Sequence, residues 1–227
     1  MDLGQLPFSD CWQLQEKLFS EISEQKISRR NGQAPTPQPI PGKLLFVEHA
    51  HVFTLGKSGD EKNLLLDPNA LNKINAEFFP INRGGDITYH GPGQLVGYPI
   101  IDLENYFTDI HKYLRFLEEA IIRMLRDFSI DAGRIEGLTG VWIDGEIPLR
   151  ARKIAAMGVK CSRWITMHGF ALNVNPDLSY FRHIVPCGIT DKAVTSMEAE
   201  LGSKVDMAMV KSILKENLSE LFGFEWC

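Results

Sequence analysis

Three segments of the chain repeat apolar residues at the three- and four-residue spacing of an amphipathic helix. These predicted helices cover residues 11–22, 108–128 and 206–221. Ser9 or Asp10 is expected to cap the first helix and Thr108 the second. We expect each apolar stripe to pack against a sheet. The stripes consist of Cys11, Leu14, Leu18 and Ile22; of Ile110, Leu114, Leu117, Ile121, Leu125 and Phe128; and of Val210, Ile213, Leu214, Leu218 and Leu221.

Short apolar runs between these helices predict strands, and Gly, Pro, Asn and Asp separate the runs as turn residues do. The predicted strands cover residues 43–48, 52–55, 78–82, 95–101, 141–144, 154–160, 164–167 and 171–174. The strands do not alternate one for one with helices. The pattern therefore predicts an α+β fold, a mixed and largely antiparallel sheet with packed helices, rather than a doubly wound nucleotide-binding fold.

The length of 227 residues predicts one domain over residues 1–227, or one domain with a small appendage. Hydrophobic residues make up 44% of the chain and charged residues 23%, which is ordinary globular usage and argues against disorder or fibrous repeats. The segment before residue 43 differs, because four alternating prolines favour an extended, polyproline-like chain. We expect a solvated surface loop at about residues 30–42, containing Pro35, Pro37, Pro39 and Pro41.

The charge and the cysteine content limit the cellular location and the classes of partner that we expect for the protein. The chain has 24 Lys and Arg against 29 Asp and Glu, a net charge of −5, which argues against a general nucleic-acid binder. No apolar run reaches the ~20 residues of a membrane helix, and the N-terminus lacks the pattern of a secretory signal. The cysteines are too scattered for a disulfide framework or a zinc site. We therefore expect a cytoplasmic protein with neither a nucleic-acid nor a membrane partner. The cysteines are Cys11, Cys161, Cys187 and Cys227.

Residues 82–99 contain five glycines and two prolines. Glycine lets the backbone approach another group closely and leaves its N–H accessible. Hydrogen-bonding side chains lie among these glycines, namely Arg83, Asp86, Thr88, Tyr89, His90 and Gln94. Two interpretations stay open here: a long glycine-rich turn between strands, or a loop wrapped closely around a ligand.

Two familiar ligand sites are not supported by the sequence. Gly56-Lys57-Ser58 ends like a phosphate-binding P-loop, but His51 stands where that motif needs its first glycine. His49 and His51 could be imagined with Cys187 as metal ligands, but nothing in their spacing defines a coordination geometry. We therefore expect no nucleotide and no metal, and we expect the histidines to be structural or hydrogen-bonded.

Between Ile147 and Pro176 the chain has no Asp or Glu but several Lys and Arg, in contrast to its negative total. Such a stretch is either a solvated basic face or a docking surface for an acidic partner. The cations are Arg150, Arg152, Lys153, Lys160 and Arg163.

Cys187 stands between Pro186 and Gly188, which interrupt regular structure and favour a side chain presented on a turn. A free cysteine is either an inert buried hydrophobe or a nucleophile. Nucleophilicity requires a nearby base or cation that favours the thiolate. Lys153 is a candidate for that cation.

Several motifs follow one another between residues 43 and 202. They are RGGDITYHGPGQ at residues 83–94 followed by Tyr98-Pro99, KIAAMG at 153–158, HGFALNV at 168–174, PCGIT at 186–190 and VTS at 194–196, with Glu48-His49 and Thr54-Leu55-Gly56 upstream. In this order they resemble the octanoyltransferases of lipoate biosynthesis, the lipoyl(octanoyl) transferase family of the biotin/lipoate protein ligase superfamily. The chain departs from the family in its proline-rich segment and at Lys160-Cys161, where the family often has Arg and an apolar residue.

The resemblance implies a ligase-like α+β domain that transfers an octanoyl group from acyl carrier protein to a lysine of a lipoyl domain. Cys187 matches the cysteine that forms the acyl thioester, and Lys153 matches its partner lysine. The implied acceptors are the lipoyl domains of 2-oxoacid dehydrogenases and the glycine cleavage H protein. The residues that match the acyl pocket are Arg83, Gly84, Gly85, Asp86, Ile87, Thr88, Tyr89, His90, Ala156, Met157, Gly158, Gly169, Phe170 and Ala171.

The implied chemistry needs no cofactor, because thioester exchange is nearly balanced in energy and the later formation of an amide is downhill. Two alternatives stay open. An ATP-dependent lipoate or biotin ligase would share the fold but activate its acid as an adenylate. A non-catalytic module would bind a carrier protein without turnover.

Overall fold

A computed structural model describes residues 1–32, 40–185 and 193–226. The helices are α1 (Phe8–Arg30), α2 (Pro68–Lys73), α3 (Ile110–Asp127), α4 (Met197–Leu201) and α5 (Met207–Phe222), with 3₁₀ helices at Glu61–Asn63, Leu103–Asn105 and Leu178–His183. The strands are β1 (Asp2–Gln5), β2 (Lys43–Glu48), β3 (Val52–Leu55), β4 (Glu77–Pro80), β5 (Ile87–His90), β6 (Gln94–Ile100), β7 (Gly133–Ile135), β8 (Leu138–Ile143), β9 (Arg152–Ser162), β10 (Ile165–Asn173) and β11 (Ala193–Val194).

The strands form a large sheet and a small one. The main sheet has the order β1-β2-β6-β10-β9-β8-β7, with β11 added to β9, and the small sheet has the order β4-β3-β5. The pairs β1–β2, β9–β11 and β3–β4 are parallel, and the remaining pairs are antiparallel. The predicted α+β class, with a mixed and largely antiparallel sheet, is confirmed.

Strands β2 and β3 cover the predicted residues 43–48 and 52–55. The predicted break between residues 167 and 171 is wrong, because β10 runs unbroken through Gly169. Here Gly169 pairs with Gly158 of β9, and the next residue, Phe170, also pairs with Gly97 of β6, so neighbouring strands hold this part of β10 in the sheet. Tertiary pairing overrides the weak local preference of glycine.

The helix starts differ from the predictions by small amounts. Helix α1 begins after Pro7 without a side-chain cap, and the predicted caps lie inside its first turn. Asp109, one residue after the predicted Thr108, caps α3 by accepting from two backbone N–H groups. Asp206 caps α5. Which of two adjacent polar side chains accepts the hydrogen bonds of the first backbone N–H groups depends on the local backbone conformation. The residue types alone do not determine that conformation.

Helices cover both faces of the main sheet. Leu44 and Phe46 of β2 point into a core with α3 and α5, whereas Leu45 and Val47 point into a second core with α1. Alternate residues of β2 therefore pack into the two different cores, because successive side chains of a strand point to opposite faces of the sheet. This layering also buries Ile40, at the end of the proline-rich segment, most of which lies outside the described residues.

A buried ion pair fixes α1 against the rest of the fold. The Lys26 Nζ lies 2.7 Å from Asp102 Oδ1 and 3.1 Å from Glu104 Oε2. The same ammonium donates to the carbonyl of Arg163 at 2.7 Å. Lys26 is 6% exposed and Asp102 is 5% exposed, so water does not replace either partner. The pair ties the end of α1 to two neighbouring segments at one end of the main sheet, the chain after β6 and the turn between β9 and β10.

Within the described ranges, none of the helices combines the length and the apolar character needed to cross a membrane.

Replacing Lys26 by Ala should lower the free energy of unfolding by about 3 kcal/mol, because it leaves the Asp102 carboxylate buried without its cation. Urea denaturation measures the change. Lys17→Ala is the matched control, since Lys17 lies on the same helix but is exposed. It should change the free energy of unfolding by less than about 0.5 kcal/mol. Equal effects of the two substitutions would show that the pair does not fix α1.

Candidate active site

A cavity of about 380 Å³ lies between the small sheet and the main sheet. Strand β5 and the segment before it form one wall, and β6, β9 and β10 form the opposite wall. The β7–β8 turn and Leu114 of α3 close one side. Most of the wall is apolar or backbone, so the cavity suits a ligand with an apolar body.

The residues expected to bind an acyl chain are separate in sequence but meet around this cavity. Residues 83–88 and His90 line it, as do residues 156–158 and residues 169–171. Lys153 also lines it. Tyr89 is absent from the lining, because its side chain points away from the cavity. The structure therefore brings together every expected pocket residue except Tyr89.

The glycine-rich segment 82–99 is a short loop followed by β5, which belongs to the small sheet, and by β6, which belongs to the main sheet. The loop lies directly on β9, where the Gly84 N–H donates to the carbonyl of Val159 at 2.9 Å. A Cβ on Gly158 would lie 2.9 Å from both the Gly84 oxygen and the Arg83 Cδ, so only glycine permits this approach. The Arg83 guanidinium donates to the carbonyl of Thr54 at 2.6 Å and to its hydroxyl at 3.0 Å. Strand β5 was missed because its glycine-rich surroundings resemble a turn.

His90 lies in the cavity wall as a neutral ring with an identifiable tautomer. The Gln94 amide nitrogen donates to the Tyr89 carbonyl and to Asn173 Oδ1, so Gln94 Oε1 must accept from His90 Nδ1, at 2.7 Å. Burial, and secondarily the nearby His49, lowers the pKa of His90 to about 3. Its Nε2 is therefore a hydrogen-bond acceptor and not a cation.

The same polar network reaches the strand beside Lys153. Asn173 Nδ2 donates to the Thr195 carbonyl at 2.9 Å, directly after β11. Gln94 and Asn173 thus connect the cavity wall to the chain that follows residues 186–192. Sequence reasoning named Gln94 as a hydrogen-bonding side chain, but it could not find this connection because its partner lies 79 positions away.

Two further buried histidines lie near the cavity. His49 Nε2 accepts from the Tyr98 hydroxyl at 2.9 Å, and burial lowers the pKa of His49 to about 4. His168 Nε2 lies 3.0 Å from Asn82 Oδ1, and burial lowers the pKa of His168 to about 3. Across residues 1–32, 40–185 and 193–226, no three His, Cys, Asp or Glu side chains are grouped to hold a metal ion.

Lys153 stands at an irregularity in the pairing of β8 and β9. Val141 pairs with Ala155 but Trp142 pairs with Lys153, so β9 contains one extra residue at this point. Such a bulge bends a strand and changes the direction of a side chain. The Lys153 Nζ lies 4.6 Å from the centroid of the Trp142 ring, a cation–π distance. Val194 of β11 pairs with Lys153 from the other side.

Glu118 holds the turn that closes the cavity beside Lys153. Its carboxylate is fully buried and accepts from the Gly140 N–H at 2.9 Å. Arg134 and Arg115 each lie 2.9 Å from the same carboxylate. This residue was missed, because a glutamate within a helical stripe carries no sequence signal for the distant strand that it binds.

Cys187 and Cys227 lie outside the described residues. The chain enters the segment 186–192 at Val185, whose N–H donates to the Asn63 carbonyl at 2.8 Å, and leaves it at β11. Phe181 before the segment and Val194 after it both line the cavity. Of the other two thiols, burial raises the pKa of Cys11 to about 12 and also raises the pKa of Cys161. Neither is an activated nucleophile.

The cations of the acid-free stretch do not form one surface. Arg152 pairs with Asp144 and Glu200, each at 2.6 Å, and Arg150 pairs with Asp144 at 3.1 Å. Lys160, near the opposite end of β9, lies 4.9 Å from the ring of Phe19. Eight residues of strand separate Arg152 from Lys160, which is roughly 26 Å. Acidic residues from other elements therefore neutralise part of this stretch.

Comparison with known proteins gives consistent matches. The sequence model of the lipoyl protein ligase A/B catalytic domain matches residues 7–219. An octanoyltransferase of Cytophaga hutchinsonii is 60% identical over 223 residues, which are 97% of this chain and 91% of the relative. An octanoyltransferase of Flavobacterium johnsoniae is 57% identical over 225 residues, 99% of this chain and 96% of the relative. Among solved structures, a bipartite lipoate protein ligase of Thermoplasma acidophilum is similar at a TM-score of 0.71 and 19% identity, over 100% of this chain and 84% of that one. The structural likeness confirms the expected ligase-like fold.

The buried histidines predict that the protein loses stability as the pH falls below about 6. His49, His90 and His168 stay neutral in the folded protein, with pKa values of about 4, about 3 and about 3. In the unfolded chain they bind protons near pH 6.5, so unfolding takes up protons below that pH. The free energy of unfolding should fall by about 1 kcal/mol per histidine between pH 6 and pH 5. Chemical denaturation at pH 7, 6 and 5 measures this slope.

His168→Asn should make the slope about one third shallower, and Asn tolerates the positive φ of 61° at this position. His111→Asn, at an exposed position, is the matched control, and the slope of His168→Asn should be shallower than the slope of this control. A free energy of unfolding that is constant from pH 7 to pH 5 would contradict the assignment of neutral histidines.

Proposed function

Because the chain belongs to the lipoyl protein ligase A/B catalytic domain family, we propose that its cavity holds an octanoyl group on the way from acyl carrier protein to a lysine of a lipoyl domain. Its relatives at 60% and 57% identity are octanoyltransferases, so the chain is an octanoyltransferase. The acceptor that we propose for it is a lipoyl domain. The proposal adds two specific points. The octanoyl donor is an acyl carrier protein, and the reaction passes through an acyl-cysteine intermediate.

One observation carries the proposal: three sequence segments that match an acyl pocket converge on a single cavity with Lys153 in its wall. An octanoyl chain has six methylene groups, and burying each contributes about 0.8 kcal/mol. An apolar cavity between two sheets therefore supplies several kcal/mol of binding without any charged contact to the chain. The wall beside β9 is free of large side chains at Ala156 and Gly158, which leaves room for the chain.

The proposed reaction has two steps. The Cys187 thiolate attacks the carbonyl carbon of the octanoyl thioester, a new carbon–sulfur bond forms, and the carrier thiolate leaves. The amine of the acceptor lysine then attacks the octanoyl-Cys187 carbonyl, an amide forms, and the Cys187 thiolate is released. Lys153 stabilises the thiolate and exchanges the proton that each step displaces. Because the donor is already a thioester, the steps need no ATP.

The proposed partners follow from this chemistry. The donor is octanoyl acyl carrier protein, and the acceptors are the lipoyl domains of 2-oxoacid dehydrogenases and the glycine cleavage H protein. We propose a cytoplasmic reaction, where thiols such as Cys187 stay reduced. Arg150 is an exposed cation near the Lys153 end of β9 and supports docking of an acidic carrier there.

Incubation with octanoyl acyl carrier protein should place one octanoyl group on Cys187, and hydroxylamine should remove it. Intact-mass and peptide mass spectrometry measure the adduct. Cys11, Cys161 and Cys227 should stay unmodified. Cys187→Ser should abolish transfer to a lipoyl domain, whereas the matched control Cys161→Ser should retain it.

Normal turnover by Cys187→Ser would contradict the acyl-cysteine intermediate. Pyrophosphate release from ATP and free octanoate would instead identify an adenylate-forming ligase. Carrier binding without any adduct would identify a binding module.

Lys153→Ala should lower kcat/KM for octanoyl transfer by about 100-fold or more, because proton transfer and stabilisation of the thiolate are lost together. Alkylation of Cys187 by iodoacetamide should slow at pH 7 and recover at higher pH. Lys153→Arg keeps the charge but cannot exchange a proton, so it should restore alkylation more than turnover.

Lys160→Ala is the matched control on the same strand and should leave both rates within about twofold of wild type. An unchanged pH profile of alkylation in Lys153→Ala would assign activation of the thiol to another group, with His90 the next candidate.

A further inference from the structure

We propose that Tyr89 is a positioning residue that holds the chain leading into Cys187, rather than a residue of the acyl pocket. The inference rests on the proposed function, in which Cys187 is the nucleophile. It assigns a role to a tyrosine of the glycine-rich motif that does not line the cavity formed by its neighbours.

Tyr89 is fully buried on the side of β5 opposite to the cavity. Its hydroxyl lies 2.7 Å from the Nδ1 of His51. Its ring stacks on Tyr180 at 5.1 Å and 14°, and it meets Phe181 edge-on at 5.2 Å and 78°. His51 stacks on the same Tyr180 ring at 4.0 Å and 5°. The hydroxyl bond therefore holds two rings in place against Tyr180.

Tyr180 and Phe181 belong to the 3₁₀ helix Leu178–His183, the last regular element before the segment that carries Cys187. The end of this helix is held by backbone bonds, from the Leu65 N–H to the His183 carbonyl at 2.9 Å and from the Val185 N–H to the Asn63 carbonyl at 2.8 Å. Cys187 follows Val185 by two residues, which reach at most about 7.2 Å. A shift of the 3₁₀ helix therefore moves the point from which the chain reaches Cys187.

The residue two places after Tyr89 supports this role. A Cβ on Gly91 would collide with the hydroxyl of Tyr89 and would lie 3.2 Å from His51 Nδ1. Gly91 thus provides the space in which the hydroxyl reaches His51. In the sequence TYHG, His90 lines the cavity, whereas Tyr89 and Gly91 lie on the opposite side of the strand. Successive residues of a strand alternate between its two sides in this way.

The bond between Tyr89 and His51 joins two neutral groups. Burial, opposed by the nearby Asp177, lowers the pKa of His51, and burial raises the pKa of the Tyr89 hydroxyl. A neutral hydrogen bond of this kind contributes modestly, so Tyr89→Phe removes it without emptying the core. If Tyr89 is a positioning residue, the substitution should lower kcat for all donors alike. If Tyr89 belongs to the pocket, the substitution should change the preference for acyl chain length.

The test compares wild type, Tyr89→Phe and Tyr180→Leu, with Tyr113→Phe as the control. Tyr113 is also fully buried but lies on α3 in the main core. Each protein is assayed with hexanoyl, octanoyl and decanoyl acyl carrier protein. Alkylation of Cys187 by iodoacetamide and hydrogen exchange of the peptide covering residues 178–192 are measured on the same samples.

Tyr89→Phe should lower kcat by about threefold to tenfold for all three donors, with KM and the order of chain-length preference unchanged. Hydrogen exchange should rise in residues 178–192, and the alkylation rate of Cys187 should change. Tyr180→Leu should show the same pattern more strongly, and Tyr113→Phe should stay within about twofold of wild type. A double variant of Tyr89→Phe with His51→Gln should lose little more than either single variant, because both remove one bond.

A changed chain-length preference in Tyr89→Phe would overturn the inference and return Tyr89 to the pocket. Equal behaviour of Tyr89→Phe and Tyr113→Phe in every assay would also overturn it. A different result would contradict the proposed function itself, namely that the wild-type protein forms no octanoyl-Cys187. Alkylation and hydrogen exchange need no acyl transfer, so they decide the role of Tyr89 even then.

Discussion

The contact between residues 83–85 and β9 determines the geometry of the whole site. Gly84 is hydrogen-bonded to Val159, and Gly158 allows Arg83 to lie on the strand without a side chain between them. Arg83 also binds Thr54 in β3, so one buried side chain joins the small sheet to the main sheet. Since both sheets line the cavity, this contact sets the width available to a ligand. Gly158 is therefore a requirement of packing between the two sheets.

The polar groups around the cavity are arranged to avoid uncompensated charge. The histidines are neutral rings with hydrogen-bond partners, and the buried Glu118 is matched by two arginines. A buried charge without partners would cost more than the apolar wall contributes. Lys153 carries its charge over the face of Trp142, an arrangement that a low-dielectric wall tolerates. The site combines an apolar interior with a cation at the place of the proposed chemistry.

Much of the fold follows from local pattern, and the remainder depends on contacts distant in sequence. The runs at residues 43–48 and 52–55 predict β2 and β3 without error, since apolar β-branched and aromatic residues dominate them. Strand β5 and the unbroken β10 are stabilised by neighbours on the sheet, which no local window contains. Within the site, the resemblance identifies the segments that converge on the cavity. The orientation of Tyr89 away from it, and the support from Glu118, become visible only when the distant partners are in place.

The position of β6 in the middle of the main sheet has a consequence for the order in which the protein can assemble. Strand β6 pairs with β2 on one side, but its other edge waits for β10, roughly seventy residues later in the chain. During synthesis from the N-terminus, a fully buried strand therefore presents an open apolar edge until the second half of the chain emerges. Closure by β10 brings Asn173 to Gln94 and adds residues 168–171 and Asn173 to the cavity wall in the same event. The β10 part of the cavity wall and the protection of the β6 edge thus arrive together, late in folding.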